Sequence, residues 1–125
     1  MPGRTSFWEH LAVATADELR PRLLALHKEV LAAERSNVER VHGALSGAEY
    51  LQIVSDPVRY GWLKPLTELV LALDEEDAED AELTERTKEL LLPPKQATPF
   101  GRRYLSLMQR SPRLVMEHSS LAKLL

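Results

Sequence analysis

The chain contains no cysteine, which removes disulfide staples, thiolate metal ligands and a thiol nucleophile at one stroke. Long apolar runs are missing as well. The longest, Leu66 to Leu73, is interrupted by Thr67 and Glu68 and is far too short to span a bilayer. The opening Met-Pro-Gly-Arg-Thr-Ser has no apolar h-region, so a cytoplasmic protein with no membrane association is expected. Its five glycines are scattered and form no phosphate-cradling loop, and neither G-x-S-x-G nor H-E-x-x-H occurs. Alternating apolar and polar runs, hairpin dipeptides and internal repeats are also lacking, so nothing in the chain supports a sheet.

Helical signals fill the space these absences leave. At 125 residues the chain is long enough for one domain, residues 1–125, around a single core. Across Asp56 to Asp74, Leu69, Trp62, Leu73, Leu66, Val70 and Leu63 fall within roughly 120° of a helical wheel, with Lys64, Thr67, Glu68 and Asp74 opposite. That is the inward face of a core helix.

Residues 1–5 are expected to be disordered. Ser6 and Glu9 form a capping-box pattern ahead of a helix over Phe7 to Ala16. Thr15 and Asp17 offer caps for a second helix running to His42 and ending at Gly43. Pro21 fits it only in the first turn; otherwise residues 7–42 form one long helix kinked there. Ser46 opens a short helix to about Val54. Asp56-Pro57 starts the next segment, which Gly61 and Pro65 should bend.

The acidic stretch 74–80 reads as a loop or helix end. Leu83, Thr87, Leu90 and Leu91 mark another helix, stopped by a Pro-containing linker over 93–98. Thr98-Pro99 and Ser111-Pro112 start the last two helices. The fold class is therefore all-α: a single-domain bundle of four main helices plus short ones, roughly up-and-down.

Charge is unevenly placed around a net −3. Asp74 to Leu92 carries nine acidic and two basic residues, whereas Pro93 to Leu125 carries six basic and one acidic. The expectation is mutual attraction across the fold, or simply solvated faces. Nucleic acid is disfavoured as a partner by the acidic balance overall.

Glu39-Arg40-Val41-His42-Gly43, Asp56-Pro57, Trp62-Leu63-Lys64-Pro65-Leu66, Glu68-Leu69 and Arg102-Arg103-Tyr104-Leu105 together resemble a family of small all-helical bacterial proteins of unknown function. The resemblance spans most of the chain. It implies a small bacterial helical domain, and it implies no activity and no site residue.

No catalytic or cofactor-binding residue is assigned, and a non-enzymatic protein is expected. Glu39-x-x-His42 has the spacing of ferritin-like dimetal ligands, but it has no second pair and lies outside the apolar arc of its helix, which is read from Ala33 through Leu26, Leu23 and Val41 to Leu24. His27, Glu34 and Asn37 fall inside that arc, and His118 lies in the middle of the apolar face of the last helix. Paired with one another, these four would make a buried polar network. Brought to one pocket, His27, Glu34 and His118 would hold zinc or iron. Trp62 would be a wall of any such pocket.

Arg102, Arg103 and Arg110 form a basic surface on the penultimate helix, which with the last one resembles a helix-turn-helix poor in base-reading groups. Val13, Leu71 and Met116 lie off their core stripes and would serve self-association if they coincided. The leading expectation is a protein–protein interaction or regulatory module, with itself or another protein as partner. A metal- or small-ligand-binding bundle is the second reading, and a DNA-binding regulator the third.

Overall fold

The computed structural model describes residues 14–75, 79–92, 95 and 97–125. Within them every regular element is helical: α1 Ala16–His42, α2 Gly47–Val54, the single turn α3 Pro57–Tyr60, a 3-10 turn Gly61–Leu63, α4 Lys64–Ala72, α5 Asp80–Leu91, α6 Pro99–Arg110 and α7 Pro112–Ala122. The expected helix over Phe7 to Ala16, its Ser6/Glu9 box, the disorder of residues 1–5, Val13, and parts of the acidic stretch and the Pro-containing linker lie outside the described residues.

Helix α1 is the spine. Its 27 residues span about 40 Å. Thr15 opens it with a reciprocal cap: its hydroxyl accepts from the Glu18 N–H while the Glu18 carboxylate accepts from the Thr15 N–H. Asp80, the first residue of α5, accepts the Ala16 N–H at 2.8 Å, placing a carboxylate at the positive end of the spine. Gly43 closes it at φ 81°, a conformation that residues with a Cβ disfavour.

Two expectations about this helix are corrected. Pro21 does not sit in the first turn; it lies in the second, and the helix runs through it unbroken. The missing N–H orphans the Asp17 carbonyl, but Asp17 and Pro21 are both exposed, so water can serve that oxygen. The apolar arc is also narrower than the wheel suggests. Leu19, Leu23, Leu26, Val30, Glu34 and Val38 are buried, whereas Leu24 is 47% exposed and Val41 80%.

Helices α4, α5, α6 and α7 all pack on this one stripe, α7 most extensively. The all-α reading holds, while the count of four main helices is loose: one long helix is shared by four shorter ones. Helix α4 runs antiparallel to α1. The Arg20 guanidinium meets the Leu73 carbonyl and the Asp74 carboxylate, both at 3.0 Å, and His27 meets Thr67 further along the seam. Arg20 thus serves an orphan carbonyl at the end of α4. The core helix read from Asp56 to Asp74 is broken into three pieces at Gly61 and Lys64, yet Trp62, Leu63, Leu66, Leu69 and Leu73 all stay inward.

Helix α2 stands apart from the core cluster. It is held to the C-terminal half of α1 by the Tyr50 hydroxyl donating to the Leu31 carbonyl (3.0 Å) and by Arg35, which lies over the Tyr50 ring and donates to the Leu45 carbonyl. Glu39 accepts the Leu45 N–H at 2.9 Å and pairs with Arg35, so its carboxylate serves as a loop fastener. No described helix is long and apolar enough to cross a membrane.

Caps at Ser46, Asp56, Thr98 and Ser111 each accept a backbone N–H from the first turn they open. Gly101 has a further role. A Cβ there would lie 1.8 Å from the Lys95 carbonyl oxygen, so the start of α6 can rest against the preceding turn only because the side chain is absent. Gly101→Ala should cost about 1–3 kcal/mol through this backbone clash, measured by urea denaturation. Gly47→Ala, with open space at its Cβ, should leave stability unchanged or slightly raised.

Candidate functional site

The polar groups read as inward-facing do not form one network; the fold gives each a separate environment. His27 Nε2 lies 3.3 Å from Thr67 Oγ1. Thr67 donates its own proton to the Leu63 carbonyl, so His27 is the donor and carries its proton on Nε2. His118 Nδ1 lies 2.6 Å from the Tyr104 hydroxyl. The phenol is the better donor, which leaves the His118 proton on Nε2. Asn37 Oδ1 accepts from Arg40 and, at 3.4 Å, from Arg110, and so belongs to the surface rather than the core. No hydrogen bond joins either histidine to Glu34 among the described residues.

His27, Glu34 and His118 are likewise not brought to one place. Among the described residues no group of three or more histidine and carboxylate side chains is placed to hold a metal ion. His27 and Glu34 share a face of α1, but seven residues put them about 10 Å apart along its axis. His118 is drawn instead to Tyr104 on the neighbouring helix.

Glu34 is 6% exposed within the stripe of α1. Burial raises its carboxyl above the usual range, partly opposed by the nearby Arg103 guanidinium. Burial, with Glu34 close by, likewise pushes the Tyr50 phenol up to about 12. Both His27 and His118 are held below the ordinary imidazole value by burial.

A concavity lies elsewhere, between the start of α4, α5 and the start of α6. It encloses about 590 Å³, within the range of binding pockets. Trp62 and Phe100 line it with ring centroids 6.1 Å apart, and Pro65, Leu69 and Leu90 extend the apolar wall. Glu68, Glu89, Arg86 and Lys95 stand at its rim, all exposed. The Thr98 hydroxyl caps the Gly101 N–H and donates to the Lys95 carbonyl.

Behind the cleft the aromatic contact continues. Phe100 stacks on Tyr104 at 5.3 Å, and Tyr104 meets the His118 ring at 5.5 Å. The Tyr104–His118 pairing escaped the wheel analysis, although a signal for it was present. Helices α6 and α7 are separated by Ser111 alone, and Tyr104 and His118 each lie seven residues from it. Equidistant positions on the two arms of a helical hairpin meet. Phe100, Arg86 and Lys95 carried no such signal, because only the packing of α4, α5 and α6 collects them.

The other surface features are dispersed. Arg102, Arg103 and Arg110 are exposed along α6, with Arg110 turned towards Asn37. Leu71 and Met116 are 62% and 68% exposed, but they sit on α4 and α7, which each pack on α1 without substantial contact with one another. No ion pair among the described residues joins the acidic 74–92 segment to the basic 93–125 segment.

The lowered histidine values carry a sign. An imidazole that is harder to protonate in the folded state contributes stability above its unfolded value, near 6.5, which is lost as pH falls through the folded value. Unfolding free energy should therefore fall as pH is lowered through about 6.5, and replacing His27 and His118 by glutamine should flatten that part of the profile. Glu34 works the other way: its raised value favours the fold only when the carboxyl is protonated. Glu34→Gln should raise stability at pH 7, with the gain shrinking as pH falls through the raised carboxyl value towards the ordinary carboxylate range. Guanidinium unfolding at a series of pH values reads both effects.

Compared with known proteins, the chain matches no family model, no curated protein and no solved structure at a significant level.

Proposed function

We propose that the protein is a non-enzymatic interaction module that seats an apolar anchor of a partner polypeptide in the Trp62–Phe100 cleft. The observation that carries this reading is the cleft's combination of an aromatic floor with a rim of balanced charge. Two carboxylates, Glu68 and Glu89, stand beside two cations, Arg86 and Lys95. A rim of both signs suits a peptide chain with its own mixed charges better than a polyanion, and an aromatic hollow is where anchoring side chains concentrate binding energy.

Exposed charges at a rim govern selectivity and association more than folding, so reversing them separates binding from stability. In the Glu68→Arg/Glu89→Arg variant, a polypeptide captured by the wild-type chain from cell extract should bind at least about tenfold more weakly. Trp62 emission, read in a Trp8→Phe background, should shift when the captured polypeptide is added to the unreversed chain. Native mass spectrometry of the purified protein counts copies and bound molecules in the same sample. Partners retained equally by the reversed-charge variant, or a small organic molecule found in the cleft, would overturn the proposal.

A further inference from the structure

A second cleft of about 700 Å³ lies between the spine and the turn joining α6 to α7. Three arginines line it from three different elements: Arg40 near the end of α1, Arg110 at the end of α6 and Arg113 at the start of α7. None of them forms an ion pair with a carboxylate among the described residues. Arg40 and Arg110 instead converge on one neutral acceptor, Asn37 Oδ1. The one carboxylate lining the cleft is Glu29, eight residues and about 12 Å along the spine from Asn37.

Cations gathered in a concavity with no carboxylate paired to them repel one another, and the arrangement gains most from a ligand that supplies the missing charge. The guanidinium fork matches tetrahedral oxyanions through paired N–H donors. Ser36 and Ser111 add hydroxyls to the same wall. Ser111 Oγ accepts from the Leu114 N–H, so its own proton remains available to donate. The N-terminus of α7 and the C-terminus of α6 meet at Ser111, and their partial charges oppose one another. The attraction therefore rests on the arginine side chains.

We propose that this cleft binds the phosphoryl group of a small anionic ligand, with Arg40, Arg110 and Arg113 as its binding groups and Asn37 as the residue that positions two of them. Three guanidiniums against one distant carboxylate favour a dianion over a single carboxylate. They face a hollow rather than lying along a ridge, which favours a small molecule over an extended strand. Arg102, on the same helix as Arg110, does not line the cleft and serves as an internal control. The inference stands independently of the Trp62–Phe100 cleft.

The test uses inorganic pyrophosphate titrated into the full chain in low-salt buffer, followed by backbone and arginine side-chain NMR shifts and by thermal unfolding. Shifts should cluster at Ser36, Asn37, Arg110 and Arg113, and the melting temperature should rise with concentration. Arg113→Gln, which removes no hydrogen bond among the described residues, should weaken binding about tenfold, and Arg110→Gln similarly, while Arg102→Gln should leave it unchanged. Absence of binding at millimolar pyrophosphate, or equal affinity in Arg113→Gln, would overturn the proposal. So would a single-stranded oligonucleotide that binds more tightly and depends as strongly on Arg102, since that result assigns the arginines to a nucleic-acid face.

Discussion

The buried stripe of α1 is the constraint on which the other helices depend. Leu19, Leu23, Leu26 and Val30 are fully shielded from solvent, and α4, α5, α6 and α7 all reach the same helix. Because one strip of side chains serves four neighbours, none of these helices can shift without disturbing the others' packing. Most polar fastenings lie near the start of α1, with His27 and Thr67 meeting further along. Asp80 and Thr84 tie the start of α1 to α5, and Arg20 ties α1 to the end of α4. Glu34 is the exception, a carboxylate inside the stripe whose burial works against its charge.

The α6–α7 hairpin lies between the two candidate binding surfaces. Its open end brings Phe100 to Trp62 at the aromatic cleft, and its closed end presents Arg110 and Arg113 to the arginine-lined cleft. The Tyr104–His118 contact sits between them as a cross-tie. Both clefts thus lie at helix ends: one where α6 starts beside α4 and α5, the other where α6 turns into α7 beside α1. The two differ in chemistry because α4 and α5 bring apolar side chains and a mixed rim, whereas α1 and α7 bring arginines.

Much of the fold was legible because helix boundaries are local. Thr15, Ser46, Asp56, Thr98 and Ser111 each place a side-chain acceptor one turn ahead of the N–H it serves, and that relation needs no tertiary partner. Leu66, Leu69, Trp62 and Leu73 were readable as inward-facing because a helix repeats every 3.6 residues whatever it packs against. The same reasoning failed at Leu24 and Val41. A wheel gives the apolar arc of a helix but not the width of the neighbours that cover it.

Alone, then, the sequence determined the all-helical class, most helix limits and the principal core face, since each follows from contacts within one turn or a few. Tertiary structure decided that His27, Glu34, Asn37 and His118 would go to four separate environments. It also decided that Trp62 would meet Phe100 across an open cleft and that Arg40 would share another with Arg110 and Arg113. Those outcomes depend on which helices become neighbours and at what register. That choice is made by the summed packing on α1 and cannot be read from the period of any single helix.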